Sequence, residues 1–201
     1  KTSLLRLCAG LLPVVRGTAS VMGHDLVVDR EGVRPHVGLL GHQNGLYEDL
    51  TVAENVRFWG ATVGASADEI AAAMDRMRVA GRLEDVVVDR LSAGQKRRAA
   101  LAGLIARRAR LWLLDEPHAG LDQAGRDELD ATLRQAAEAG ATVMVASHEL
   151  DRAASLATRI VDVVAGQQGV QPTERLDEPV HVADGTAAPP IARPRLEPPI
   201  H

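Results

Sequence analysis

The chain alternates short, wholly apolar runs with longer stretches in which apolar positions recur every three or four residues. The runs HVGLLGHQ (36–43), LWLL (111–114) and TVMVA (142–146) have the length of strands, and their continuous apolarity predicts strands covered on both faces. Helical spacing predicts LLRLCAGLL (4–12), stopped before Pro13, whose ring cannot continue a helix and restricts the residue before it. It also predicts helices over 95–108, over 125–139 and from about Leu150. From LTVAENVRFW to about Arg90 the period is again helical, with Val52, Val56 and Trp59 on one face, followed by Ile70, Met74, Met77 and Leu83. GTASVMGHDL alternates as a strand does and ends in a glycine turn. Strands alternating with helices predict an α/β fold with a parallel sheet, and the stretch at about 44–92 reads as a helical insert.

The character changes after Gly169. Residues 172–199 hold seven of the ten prolines, and DGTAAPPIARPRLEPPI cannot hold a regular helix or a central strand. Residues 1–170 are therefore expected to form the domain, and 171–201 a flexible, proline-rich, linker-like tail.

Composition narrows the classes. With 46% hydrophobic and 25% charged residues the chain can bury a core, and a net charge of −4 spread over both signs makes no basic field, so no nucleic acid partner is expected. The single cysteine, Cys8, excludes an intramolecular disulfide, and its neighbours Leu7, Ala9 and Leu11 mark it as a core thiol. No apolar run reaches the roughly 18 residues of a membrane span.

The chemistry lies where apolar runs end. In an open parallel sheet ligands sit beyond the carboxyl ends of the strands. There LWLL leads into Asp115 and Glu116, TVMVA into Ser147 and His148, and VGLLG into His42 and Gln43, which predicts one shared cleft. The chain opens KTSLL at a helix start, as the end of a phosphate-binding loop G-x-x-x-x-G-K-[ST] does. Alone, a Lys-Thr-Ser before a helix is more often an N-cap. An apolar strand ending in an Asp well downstream is what a nucleotide site needs for Mg²⁺, and Asp115 is placed so.

LSAGQKRRAALAGLIARRARLWLLDEPHAGLD (91–122) resembles the signature, Walker B and D-loop block of ABC-transporter ATP-binding subunits, and VASHEL (145–150) their switch-histidine region. The resemblance runs from Lys1 to about Gly166. It implies a RecA-like P-loop NTPase sheet with an inserted helical subdomain, lacking its N-terminal strands. It further implies ATP as substrate with Mg²⁺, a separate transmembrane permease, and a second ATP-binding subunit packed head to tail at the cytoplasmic face of the membrane. Residue by residue, Lys1, Thr2 and Ser3 become the end of Walker A, Asp115 the Mg²⁺-organising carboxylate, Glu116 the general base and His148 the γ-phosphate sensor. Ser92, Ala93, Gly94 and Gln95 become the signature, and Asp122 the D-loop link between subunits. Counting back from LTVAEN puts His42 at the usual Q-loop glutamine and Gln43 one place later, so the nucleotide and Mg²⁺ role of that loop stays open between them.

The chain also departs from the pattern. Ala93 replaces the first signature glycine, and His118 stands where a small hydroxyl residue is usual and reads as a neutral surface substitution. Lys96, Arg97 and Arg98 in the first turn of a helix oppose its dipole, an arrangement that makes sense if a polyphosphate docks there. The chain reads as starting in mid-motif, so residues 1–201 alone are expected to bind ATP poorly and to show no turnover. GHQNGLYEDLTVAENVRFWG, with Ala93, resembles the haem-exporter ATP-binding subunit of cytochrome c maturation. A multidrug or polysaccharide exporter subunit, or a truncated non-hydrolysing regulatory copy, are the alternatives.

Overall fold

A computed structural model describes residues 1–161; the proline-rich tail expected at 171–201 lies outside the described residues. Three parallel strands form the centre, in the order β3 (Val37–Leu40), β4 (Leu111–Asp115), β5 (Thr142–Ala146). Burial follows strand position. Every residue of the central β4 is buried, whereas β5, at an edge of the sheet among the described residues, is partly exposed, so the expectation of two covered faces holds for β4 and not for β5.

Alternate residues of β4 face different cores. Trp112 and Leu114, with Leu40 of β3, join a large cluster that also holds Val56 of α2 (Val52–Ala61), Met74 of α3 (Ala67–Arg76), Leu101 of α4 (Ala93–Ala106) and Leu129 of α5 (Gln123–Glu138). Leu111 and Leu113, with Val37, join a smaller one with Leu5 of α1 (Thr2–Cys8), Leu26 and Val33. The sheet is thus a middle layer between helices and a loop-rich cap.

Local chemistry sets the boundaries. α1 ends earlier than Pro13 requires, because Gly10 takes φ +67 and Leu11 N–H returns to the Arg6 carbonyl. A Cβ on Gly10 would lie 2.1 Å from the Arg30 carbonyl oxygen, so this stop needs glycine. The helical insert is two helices, since Gly64 (φ +69) breaks the first and Ser66 begins the second with a capping box to Glu69. The alternating segment near residue 20 is a hairpin, β1 (Ser20–Val21) and β2 (His24–Asp25), turned by Met22 and Gly23, both at positive φ. A short α6 (Leu150–Leu156) follows β5.

Candidate functional site

The parallel register pairs Leu40 with Leu114 and Asp115 with Ala146, so the carboxyl ends of the three strands finish side by side. Asp115 and Glu116, Ser147 and His148, and the loop bearing His42 and Gln43 all leave the sheet at that edge. α1 starts at the same place. The Thr2 hydroxyl donates to Asp115 Oδ2 at 2.6 Å, and Lys1 Nζ donates to the Ser147 carbonyl at 2.9 Å. Asp115 is buried, and a carboxylate removed from water needs such a partner.

Glu116 has φ +48, a left-handed conformation that costs a non-glycine residue about 1–3 kcal/mol and recurs at functional sites. Its amide donates to the Ala146 carbonyl, and its carboxylate lies 3.6 Å from His148 Nε2 and accepts from Ser147 Oγ at 3.4 Å. The His148 side chain is 84% exposed. A carboxylate and an accessible imidazole that close together can share a proton with a molecule bound between them.

Other predicted residues sit apart. Ser3 is exposed on α1, and His42 and Gln43 are exposed after β3; none of their side chains makes a hydrogen bond among the described residues. Ser92 caps α4, accepting from Gln95 N–H while the Gln95 side chain accepts from Ser92 N–H. Gly94 lies so near the following loop that a Cβ would stand 2.9 Å from the Gly120 carbonyl oxygen, whereas Ala93 is exposed and accommodated. Asp122 caps α5 through Gly125 N–H and pairs with Arg98 at 2.7 Å; the Gly125 amide first, then Arg98, holds its carboxyl below the usual range. Cys8 packs against the smaller core, and burial pushes its thiol up, in keeping with a packing role.

Two sequence expectations are overturned. The cations do not stand as a free set in the first turn: α4 starts at Ala93, so Arg97 and Arg98 fall in the second, Lys96 reaches Glu48 at 3.5 Å, Arg98 pairs with Asp122, and Arg97 is buried and bonded to main-chain carbonyls. A buried guanidinium satisfied by carbonyls has no donor left for a ligand. His118 is not on the surface either. It is 2% exposed, with Nε2 2.7 Å from Asp130 Oδ1, and the other oxygen of Asp130 accepts from Arg152 of α6.

A divalent cation can be tested against the donors present. Thr2 and Asp115 offer hard oxygens, the chemistry Mg²⁺ prefers. Among the described residues no group of three or more His, Cys, Asp or Glu could hold a metal, which suits an ion that keeps waters and substrate phosphates as its remaining ligands. The pair fits Mg²⁺ as a companion of a bound polyphosphate. No helix among the described residues is long and apolar enough to cross a membrane.

The sequence profile of the family described as ABC transporter matches residues 1–119. The cytochrome c biogenesis ATP-binding export protein CcmA of Vibrio parahaemolyticus is 39% identical over 151 residues, covering 74% of this chain and 73% of that protein. ATP-binding cassette sub-family A member 7 of Rattus norvegicus is 34% identical over 169 residues, covering 83% of this chain, which spans 8% of that protein's length. Among solved structures, a dimeric post-hydrolysis state of an ATP-binding cassette bound to ADP and Pi aligns with a TM-score of 0.66 at 22% identity, over 75% of this chain and 71% of that one. At such identity the likeness shows the fold, that of an α/β P-loop NTPase.

Proposed function

Since the chain belongs to the ABC transporter family as an ATP-binding subunit, we propose that the full-length protein hydrolyses ATP where α1, the end of β4 and the end of β5 meet. The reading rests above all on the 2.6 Å bond from Thr2 to Asp115, which joins residues 113 apart in sequence. Phosphoanhydride hydrolysis is mainly positioning and charge stabilisation, and this edge of the sheet collects the groups for both.

Lys1 exchanges the Ser147 carbonyl for an outer phosphate oxygen, and the amides of the first turn of α1 face the phosphates. Thr2 and Asp115, with Gln43 or His42 of the loop after β3, would hold Mg²⁺. When bound, the ion neutralises charge on the β- and γ-phosphate oxygens. Glu116 orients a water and takes its proton as the water oxygen bonds to the γ-phosphorus and the bond to the β–γ bridging oxygen breaks, leaving ADP and phosphate. His148, beside Glu116, donates to a γ-phosphate oxygen. ABC ATP-binding domains dimerise, and the Ser92–Gln95 segment and Asp122 are read as facing the nucleotide of a second subunit packed head to tail.

The test separates binding from chemistry. In the full-length protein Glu116→Gln is expected to keep Mg-ATP affinity within about twofold and to lower turnover at least a hundredfold, because binding draws on α1 and water activation on this carboxylate. Turnover at the wild-type rate in the variant removes Glu116 from the role of base. Chelation with EDTA is expected to abolish turnover as well.

For the whole machine we read an exporter subunit on the cytoplasmic face of the membrane, powering a separate permease, with haem as cargo. The stretch GHQNGLYEDLTVAENVRFWG and the identity with the cytochrome c biogenesis export protein support that choice over a sub-family A transporter. Restored holo-cytochrome c in a strain lacking its own export ATPase is the expected result. Failure there, with ATP turnover intact, moves the cargo to another class.

A further inference from the structure

Arg97 opens the second turn of α4, yet only 4% of it is exposed. Its guanidinium uses every donor it has. Nε donates to the Pro117 carbonyl at 3.2 Å; Nη2 donates to the carbonyls of Asp115 at 3.0 Å and Glu116 at 2.8 Å. Nη1 turns the other way, to the Gly41 carbonyl at 2.8 Å and Asn44 Oδ1 at 3.2 Å. One side chain therefore grips three successive carbonyls of the segment leaving β4 and two acceptors of the loop leaving β3.

A guanidinium taken from water is costly unless all its protons are bonded. Burial pushes the Arg97 pKa down to about 10, while Asp115 and then Glu116 pull it back up. The acceptors lie on two loops, and the Glu116 carbonyl already accepts from Ala119 N–H, so satisfying lone carbonyls is not all that Arg97 does. What it holds includes Glu116 at φ +48, a conformation that persists only where the surroundings over-determine it. The other loop is the one carrying His42 and Gln43.

We propose that Arg97 is a positioning residue: it fixes the backbone on both sides of Glu116, so that its carboxylate stands against Ser147 and His148, and it ties that backbone to the loop at 41–44. The catalytic half rests on Glu116 as the base of the proposed hydrolysis; the tie between the loops does not. A lysine here keeps a charge but places its donors on one nitrogen, which cannot span both loops.

The experiment measures two things on the full-length protein carrying Arg97→Lys or Asn44→Ala. The first is Mg-ATP turnover. Arg97→Lys is expected to lower kcat roughly ten- to a hundredfold with KM within about twofold, the pattern of a misplaced group rather than of lost binding. The second is amide hydrogen exchange, which is expected to rise together at 41–47 and 115–119 in Arg97→Lys. Asn44→Ala removes one of five bonds and keeps the charge satisfied, so it reports even if the lysine variant does not fold; faster exchange at 115–119 is expected there too. Unchanged exchange at 115–119 in Asn44→Ala, or a rise confined to one segment in Arg97→Lys, overturns the tie between the loops. Wild-type kcat in Arg97→Lys overturns the positioning role. A wild type that turns over no ATP counts against the reading of Glu116, and the exchange data then still decide the tie.

Discussion

At the scale of single residues, the buried polar groups mark where this chain departs from a generic α/β domain. His118 follows Glu116 by two residues, and through Asp130 it is bonded to Arg152, four residues beyond His148. The triad ties the segment leaving β4 to the helix that follows β5. His118→Ala leaves Asp130 buried with one partner fewer, which is expected to cost about 1–3 kcal/mol. Urea denaturation checks this as a lower midpoint at unchanged slope; an unchanged midpoint shows that Arg152 alone satisfies Asp130. Among the described residues His118 Nδ1 has no hydrogen-bond partner, so the cost falls on the Nε2 side.

Helices start here by side-chain capping, and that makes part of the fold sensitive to acid. Thr51 and Glu54 form a capping box at α2, Ser66 and Glu69 another at α3. The Thr51 amide first, then the Thr51 hydroxyl, lowers the pKa of Glu54; the Ser66 amide is the main cause at Glu69. A carboxyl depressed in the folded state contributes stability that is fully present above its usual value of 4.5 and is lost as pH falls through the depressed value. Circular dichroism melts at neutral pH and near pH 3 should therefore show acid loss in the wild type and a smaller one in Glu54→Gln/Glu69→Gln, where the amide oxygen still accepts the bond. Equal acid losses would exclude the caps as its source. At α4 the constraint is steric: Gly94→Val drives a side chain into the Gly120 carbonyl, 2.9 Å from the first added carbon. About 1–3 kcal/mol of destabilisation is expected from such overpacking, read as a lower Tm.

Across the whole molecule, three of the four aromatic residues gather on the helical insert. Tyr47 and Phe58 stack edge to face with centroids 5.1 Å apart and are 46% and 43% exposed, Phe58 stacks likewise on Trp59, and Trp59 packs on Gly103 of α4. An aromatic pair left that exposed suits a partner surface. Leu46, beside them, packs instead against the larger core. If the proposed permease docks on this face, cysteine placed at Tyr47 is expected to cross-link to it; no cross-link from Tyr47 in an assembled, ATP-hydrolysing complex would remove this face as the contact.

Much of this architecture was legible in the pattern of residues alone. Continuous apolar runs locate β3, β4 and β5 because a strand's length and burial are written into consecutive side chains, and parallel pairing then places Asp115, Glu116, Ser147 and His148 at one edge. The apolar spacing did not show that glycine and the Ser or Thr caps divide the helical insert, or that Gly10 ends α1 before Pro13 can, because those stops depend on backbone angles and caps rather than on apolar period. The directions of Arg97 and His118 were decided by tertiary structure. α4 is buried on nearly every side, from Arg97 through Ala99, Leu101 and Gly103 to Ala106, so no polar face tells which of three consecutive cations turns inward. Its spacing of four from Leu101 and seven from Leu104 was the one available sign. What draws it in is a set of main-chain carbonyls, those of Asp115, Pro117 and Gly41 together with that of Glu116, which also accepts from Ala119 N–H, and a carbonyl's direction is carried by no side chain.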